Sequence, residues 1–449
     1  MAKGQAQGAS GDVCVAFSGG LDSTVLLAAL AELKSRGWPT AIRVLHIDHQ
    51  LQPDSGLWAA RCGETARQLG LPFGSQRVVV PVANGQGVEA AARAVRYAAL
   101  YGSLAVGETV LTAHHADDQL ETLLLALMRG AGVRGLSGMP RRAPAGVGWH
   151  QRPLLDHPRA DLECWARQRG LSWIEDPTNC EPRYRRSYLR HAVLPALRGT
   201  WPGAATVASR SAAHLGEAAE LLDDLARQDF EHAALETCLQ RDKLSAMTPA
   251  RRRNLLRFWL RSLNLPVPST AKLGVLEHDM LVARPDRQLC VAWEGAEVKL
   301  HCGLLYAAPP LAPLPGAHEQ GWDWREPLVL PDGLGELHAV PAMGAGLAAA
   351  RLPVRLTWRF RGEVAGGSGG DSPDAAPHRL KKLLQEAHVL PWWRGRLPLL
   401  SAGNHLLAVG DLWIAREFAA TGSAPGVRVE WRHRPAIIAV GRGPCATSD

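Results

Sequence analysis

The string Cys14-Val15-Ala16-Phe17-Ser18-Gly19-Gly20-Leu21-Asp22-Ser23-Thr24 constrains the fold more than any other in the chain. An apolar run enters a turn of small polar residues, and a helical pattern at Val25, Leu26, Leu27 and Leu30 leaves it. That order reads as a buried strand, a tight loop and a helix N-terminus. Gly19 and Gly20 permit backbone angles closed to other residues and leave room for a ligand against bare backbone. The first-turn amides of a helix lack intrahelical acceptors and carry partial positive charge, so the loop suits an anion. Ser18, Ser23 and Thr24 add hydroxyl donors, and Asp22 puts a carboxylate where a magnesium ion on a phosphate would sit. The plain alternative is a β–α corner in which Asp22 or Ser23 only caps the helix. No Gly-Lys-Ser/Thr sequence occurs, which excludes a Walker-type phosphate loop.

Strand patterns at 12–17, 41–47, 76–80 and 109–113 alternate with helix patterns at 23–35, 54–69, 88–106 and 118–129. This alternation predicts a doubly wound, mostly parallel α/β sheet covered on both faces. Ligands bind such sheets beyond the carboxyl ends of the strands. His46-Ile47-Asp48-His49 closes the second strand pattern and His114-His115-Ala116-Asp117-Asp118 the fourth. Asp48 suits the ribose or base edge of a nucleotide, and equally a loop cap. Two His beside it also allow a metal, although zinc wants further ligands. Glu89, Arg93, Arg96 and Tyr97 share a helix face, able to hold a carboxylate or phosphate, or simply to pair Glu89 with Arg93. Leu120, Leu123, Leu124 and Leu127 form an apolar stripe with Asp118 and Glu121 on a neighbouring face. Acids in a first turn complement the helix dipole. Concentrated with two His at a strand end, they also suit binding an amine and moving its proton.

A chain of 449 residues suggests about three domains. The patterns divide it into an α/β segment at 1–200, a mainly helical segment at 201–310, an α+β segment at 316–435 and a disordered tail at 436–449. In the second, helices are expected at 204–230, 249–263 and 269–282, with short strands at 288–293, 297–301 and 304–307. A Pro-rich linker at 309–315 and a Gly/Ser/Asp/Pro loop at 366–377 interrupt the C-terminal third. The formal net charge of +7 leans toward a polyanionic partner, and the preference for Arg over Lys suits bidentate phosphate contacts. Arg183, Arg185, Arg186 and Arg190, interleaved with Tyr, form one basic segment; Lys381, Lys382, Trp392, Trp393, Arg394 and Arg396 form another. Their cations can neutralise phosphates and a Trp can stack on a base, with at least one of the two Trp expected in the core. The 8 cysteines include no Cys-x-x-Cys pair and read as reduced thiols. No secretory segment opens the chain and no apolar run approaches the roughly 20 residues that span a bilayer, so a cytoplasmic protein without a membrane partner is expected.

The first loop resembles the SGGxDS signature of the PP-loop ATP pyrophosphatases, which adenylate a substrate and release pyrophosphate. With the ARxxRY-like helix at Arg93–Tyr97 and the HHxDDxxET string at His114–Thr122, the chain resembles the tRNA-modifying branch of that superfamily. Segments 130–139, 152–155, 174–179 and 379–399 extend the likeness, over nearly the whole chain, to the bacterial tRNA(Ile)-lysidine synthetase family. One departure is Ser187, which stands where that family has Asn. The resemblance implies ATP with Mg2+ as cofactors, and as partners L-lysine and an isoleucine tRNA with a CAU anticodon; it allows a homodimer. It places ATP on Ser18, Gly19, Gly20, Leu21, Asp22, Ser23 and Asp48, with magnesium at Asp22. Asp22, Asp118, Glu121, Arg93 and Arg96 become the catalytic set. Arg183, Arg185, Arg186, Arg190, Lys381, Lys382, Trp392, Arg394 and Arg396 become tRNA contacts. A PP-loop tRNA thiolase is the nearest rival, and the missing Cys pairs count against it. A small-molecule PP-loop ligase and a non-catalytic RNA-binding protein are more distant rivals.

Overall fold

The computed structural model describes residues 11–50, 54–81, 88–175, 185–282, 289–311, 313, 319–348, 354–358 and 375–434. The chain divides into two compact units, Met1–Asp224 and Leu225–Asp449. The first opens with β1 (Val13–Ala16), α1 (Leu21–Ser35), β2 (Ile42–Asp48), α2 (Ser55–Gln68), β3 (Phe73–Arg77), α3 (Val88–Gly102), β4 (Thr109–Leu111) and α4 (Ala116–Met128). It continues with α5 (Val133–Leu136), β5 (Arg142–Ala145), β6 (Gly148–Gln151), α6 (Arg159–Gln168), α7 (Arg185–Tyr188), a π-helical turn at Leu189–Val193 and α8 (Leu194–Thr200).

The six strands lie in the order β3-β2-β1-β4-β6-β5, parallel except for the edge strand β5. Val15 of β1 faces Val44 on one side and Leu111 on the other. Alternate residues of β1 serve opposite faces, as the pleat requires. Val13 and Val15 join Leu26, Leu27, Val44 and Cys62, whereas Cys14 joins Leu45, Leu100 and Val110. Both faces are therefore buried, as expected for a parallel sheet. The strand order reverses between β1 and β4, which makes their carboxyl ends the switch point. At the opposite edge Arg43 pairs bidentately with the buried Glu108, at 2.6 and 2.7 Å, tying the start of β2 to the start of β4.

Three details differ from the pattern. The third strand lies three residues early, because pairing begins at Val44 with Phe73 and its exposed edge residues carry little apolar signal. The hairpin β5–β6 has no strand pattern in the sequence, since its edge strand Arg142–Ala145 contains Pro144 and is mostly solvent-facing. Leu127, placed on the apolar stripe, is 52% exposed, while Leu120 is buried against Leu194 and Ala205.

Beyond α9 (Ala204–Ala233), the second unit contains β7 (Ala234–Leu235), β8 (Cys238–Gln240), α10 (Arg241–Ser245), α11 (Pro249–Ser262), α12 (Thr270–Val282), β9 (Leu289–Trp293), β10 (Ala296–His301) and β11 (Leu304–Ala308). The strands form one antiparallel sheet, β7-β8-β11-β10-β9, fuller than the hairpin edge expected. Arg251 pairs with the buried Asp229, and Arg252 and Arg253 both reach Glu277, so this triplet is structural. The C-terminal part holds β12 (Gln320–Trp322), β13 (Leu328–Val329), β14 (Glu336–Met343), β15 (Leu347–Ala348), β16 (Val354–Thr357), α13 (Ala375–Glu386), β17 (Leu399–Ala402), β18 (His405–Val409), β19 (Trp413–Ile414) and β20 (Pro425–Arg432). Its sheets run β12-β16-β17-β18-β19 and β13-β14-β20-β15, around a core that includes Trp322, Trp324, Trp358, Trp393 and Trp431. Residues 366–374 of the expected loop and the expected tail at 436–449 lie outside the described residues. Cys14, Cys62, Cys164, Cys238 and Cys290 are free thiols; Cys302 is disulfide-bonded, against expectation, because pairing depends on distance in the fold and not on sequence spacing.

Gly19 has φ +81°, and a Cβ there would stand 2.7 Å from Ile174 Cδ1 and 2.9 Å from Cys62 Sγ. Gly37 has φ +91° with open space around it. Gly19→Ala should therefore cost about 2 kcal/mol or more, and Gly37→Ala only about 1 kcal/mol, in urea unfolding.

Candidate active site

The loop after β1 is shaped by its glycines. The Gly19 carbonyl accepts from two donors: the amide of Ile174 at 2.9 Å and the Thr24 hydroxyl at 3.4 Å. Gly20 is the N-cap of α1 and no side chain caps the helix, which leaves the first-turn amides for an incoming anion. Ser23 Oγ donates to the Gly20 carbonyl at 3.0 Å and lies 3.1 Å from Ser18 Oγ. Ser18, Gly19, Gly20, Leu21, Asp22 and Ser23 are thus one continuous corner at the switch point.

His115 joins this corner to the loop after β4. It is buried at the N-cap of α4, where a reciprocal capping box pairs it with Asp118: the His115 amide donates to Asp118 Oδ2 at 3.1 Å and the Asp118 amide to His115 Nδ1 at 3.4 Å. His115 Nε2 lies 3.5 Å from both Asp22 Oδ2 and Asp118 Oδ2, and Nδ1 lies 3.6 Å from Asp117 Oδ2. Burial pushes the ring's pKa down, but Asp118, Asp22 and Asp117 outweigh it and raise it above the ordinary value. Burial likewise pushes the Asp22 carboxyl up, yet His115, Arg159 and Arg190 together hold it below its usual range. Among the described residues, Asp22 Oδ1 is buried without a hydrogen-bond partner, and Arg159 Nε is 3.9 Å away. Asp117 is structural: it accepts from the Arg159 amide at 2.7 Å and binds the Arg198 guanidinium.

Asp118 and Glu121 are brought together by Arg190, from the π-helical turn. Arg190 Nε reaches Glu121 Oε1 at 2.9 Å, and Nη2 reaches Glu121 Oε2 at 3.1 Å and Asp118 Oδ1 at 3.4 Å. Glu121 is 1% exposed, and burial raises its pKa even though Arg190 pulls the other way. Arg190 was expected at a tRNA contact; here its guanidinium faces the acidic pair. π-helical turns often mark functional sites.

A second cluster sits beside the first. Arg93 and Arg96 lie over the Tyr97 ring, 5.0 and 5.4 Å from its centroid, and neither is paired with a carboxylate among the described residues. The side chain of Glu89 lies outside the described residues. Tyr97 Oη is 3.3 Å from His114 Nε2, and His114 Nδ1 is 2.8 Å from Thr112 Oγ1. Burial, with Arg93, Arg152 and Arg96 nearby, keeps His114 well below its ordinary pKa. Behind it, Thr112, Tyr101, His150 and Arg152 were not singled out as a group by the sequence, because His150 and Arg152 follow from the unrecognised hairpin. Asp48 is buried and accepts from the Gln50 amide at 2.9 Å, with Arg77 at 3.7 Å. His46 Nδ1 bonds the Phe17 carbonyl at 2.9 Å, whereas His49 Nδ1 is buried without a partner among the described residues.

Of the remaining basic residues, Arg183 and the Arg185 side chain lie outside the described residues. Arg186 is half-buried, close enough to lower the Glu121 pKa, and Ser187 is buried. In the second unit Lys381 and Lys382 are exposed on α13. Trp393 is core, and Trp392 is half-buried, edge-on to Tyr306 at 5.3 Å and beneath Lys299. Arg394 Nε donates to the Val389 carbonyl and Arg396 Nη1 to the Trp392 carbonyl, both at 2.9 Å.

A mostly parallel sheet with a glycine-bent, uncapped helix N-terminus at its switch point fits a doubly wound α/β nucleotide domain, and residues 2–197 match the PP-loop domain family. Residues 239–306 match the TilS substrate binding domain and residues 356–431 the TilS substrate C-terminal domain. Relatives named tRNA(Ile)-lysidine synthase are similar over nearly the full length. That of Coxiella burnetii is 40% identical over 93% of this chain and 92% of its own. That of Alkalilimnicola ehrlichii is 40% identical over 94% of each. That of Salmonella typhimurium is 37% identical over 93% of this chain and 96% of its own. The chain belongs to the tRNA(Ile)-lysidine synthase family.

His150 and His115 carry opposite pH signatures. Burial, Arg152 and Arg93 hold His150 at about 3, below its ordinary value, so an unfolded chain binds a proton that the folded ring refuses. Its effect is nil above the unfolded pKa and becomes a loss of stability as pH falls below it. His115 stabilises fully below the unfolded value, and that contribution is lost as pH rises through its raised folded pKa. Urea midpoints taken at about pH 7.5 and about pH 5 should fall less on acidification for His150→Gln than for the wild type.

Proposed function

We propose that this protein is a ligase that uses ATP to join L-lysine to C2 of the wobble cytidine of a CAU-anticodon isoleucine tRNA, releasing AMP and pyrophosphate. One observation carries this proposal: His115 ties the anion-binding corner at Asp22 to an acidic pair, Asp118 and Glu121, that suits an ammonium group. Membership of the lysidine synthase family supports the same chemistry, and the relatives' names do not favour thiolation.

The triphosphate would lie on Ser18–Ser23, its charge met by first-turn amides and hydroxyls, with Asp48 near the nucleoside. The donor set fits magnesium: Asp22 offers a buried, unpartnered oxygen beside the phosphates, where the ion would neutralise charge and leave other positions to phosphate and water. The cytidine C2 oxygen attacks the α-phosphate, and helix-end dipoles stabilise the departing pyrophosphate. The lysine ε-amine then displaces AMP from C2. That amine must be neutral to attack, so its proton has to leave first. Asp118 and Glu121 bind the ammonium; Glu121, with its raised pKa, accepts the proton. Two carboxylates there balance two cations, Arg190 and the ammonium. Arg93 and Arg96 hold the lysine carboxylate or a phosphate.

The wobble base must leave its stack to be reached, so contacts elsewhere on the tRNA have to position it. Arg183, Arg185 and Arg186 in the α/β domain (1–200) are candidates, alongside Lys381, Lys382, Trp392, Arg394 and Arg396 in the C-terminal domain (316–435), whereas Arg190 serves the acidic pair. The domain at 201–310 joins them in recognition. Among the described residues no helix is long and apolar enough to cross a membrane, and we place the protein in the cytoplasm with its tRNA.

The direct test supplies purified protein, ATP, radiolabelled lysine and unmodified CAU-anticodon tRNA, and reads transfer of label to RNA; no transfer under any condition refutes the proposal. Asp22→Ala should lower tRNA-dependent pyrophosphate release by about a hundredfold or more, and undiminished release removes Asp22 from the mechanism. Asp118→Ala and Glu121→Ala should impair lysine transfer more than adenylation; wild-type rates for both steps would show the pair to be mis-assigned.

A further inference from the structure

Four buried or half-buried polar side chains form a chain of contacts that the reaction above leaves unused. His150 is fully buried in β6. Its Nδ1 lies 3.1 Å from Arg152 Nη2 and 3.0 Å from Tyr101 Oη, and its Nε2 lies 2.8 Å from Thr112 Oγ1. The same hydroxyl is 2.8 Å from Nδ1 of His114, whose Nε2 faces Tyr97 Oη at 3.3 Å.

A guanidinium donates and never accepts. The Arg152 N–H therefore requires His150 Nδ1 to be an acceptor, and the proton of the neutral ring sits on Nε2. That N–H donates to Thr112 Oγ1. A hydroxyl carries a single proton and two acceptor lone pairs; among the described residues Thr112 Oγ1 has no partner besides the two rings, so its proton goes to His114 Nδ1. The proton of His114 is then on Nε2, pointing toward Tyr97 and the face shared with Arg93 and Arg96. The order begins at a group whose polarity cannot change and is carried across Thr112 by the lack of any other acceptor for its proton among the described residues.

We infer that Arg152, acting through His150 and Thr112, fixes the tautomer of His114, so that His114 offers the site an N–H donor and not a base. The three relay residues are positioning residues; none has to touch a substrate. The scheme needs both rings neutral, and burial among Arg93, Arg96 and Arg152 keeps them so. The face formed by Arg93, Arg96, Tyr97 and His114 then presents donors. It takes an oxygen-rich anionic end, a carboxylate or a phosphate, and rejects an ammonium, which is left to Asp118 and Glu121. The choice of ligand rests on the proposed reaction; the tautomer does not.

The test uses full-length protein labelled with 15N in its histidine rings, with His114 resonances assigned by their loss in His114→Gln. In the wild type at neutral pH, His114 and His150 should both show a protonated Nε2 and an unprotonated Nδ1. Thr112→Val, close in shape but without the hydroxyl, should turn His114 into a mixture of tautomers and raise the KM for L-lysine about tenfold, with a smaller change in kcat. Thr112→Ser should restore the wild-type tautomer and KM. A wild-type His114 protonated on Nδ1 overturns the inference, as does a Thr112→Val protein that keeps the single tautomer. Failure of the proposed ligase reaction would appear as absent lysine transfer with the tautomers as expected, so the two failures are distinct.

Discussion

Strand β1 is bonded along both edges, to β2 and to β4, and both of its faces are buried. A strand held on four sides has one direction in which to deliver the chain, and the loop after it cannot drift. Because β4 is its parallel neighbour, the loop after β4 leaves at the same edge. The approach of Asp22 to His115, at 3.5 Å, is the direct result of that pairing. Gly19 completes the constraint: its left-handed backbone and the pressure of Ile174 and Cys62 leave no space for a side chain, so the corner turns where the helix end opens.

The site then separates charge with two adjacent residues. His115 sits in extended backbone at φ −125° and ψ 178°, where successive side chains point to opposite sides. His114 consequently falls among Arg93, Arg96 and Arg152, and His115 among Asp22, Asp117 and Asp118. The same imidazole is pushed down on one side and up on the other. Two neighbouring surfaces of opposite charge result from a single peptide step. At the far edge of the sheet, Arg43 and Glu108 are also charged but are satisfied by each other and by the Ser103 carbonyl and Ala105 amide, and they brace the strands instead.

In the second unit, cations and aromatics are oriented by what lies beneath them. Arg394 and Arg396 are tied to main-chain carbonyls, and Trp392 is supported edge-on by Tyr306 while Trp393 is spent on the core. Side chains held in this way lose little further freedom on meeting a ligand, which favours binding.

The α/β order, the glycine corner and the acidic helix start at Asp118 and Glu121 were legible in the sequence, because each rests on local backbone preference or on periodic burial within one element. The edge strands β3 and β5 were obscured, since solvent-facing residues carry no apolar period. Residue type alone also could not show what Arg190 faces: in sequence it belongs to a basic run, and only the π-helical turn aims it at Glu121, 69 positions away. The same holds for the relay from Arg152 to His114, whose members meet because β6 lies beside β4. Sequence by itself determined which residues could bend, bind an anion or carry a proton. Tertiary structure decided which of them share a surface, because hydrogen-bond polarity and desolvation act over a few ångströms of space and are indifferent to distance along the chain.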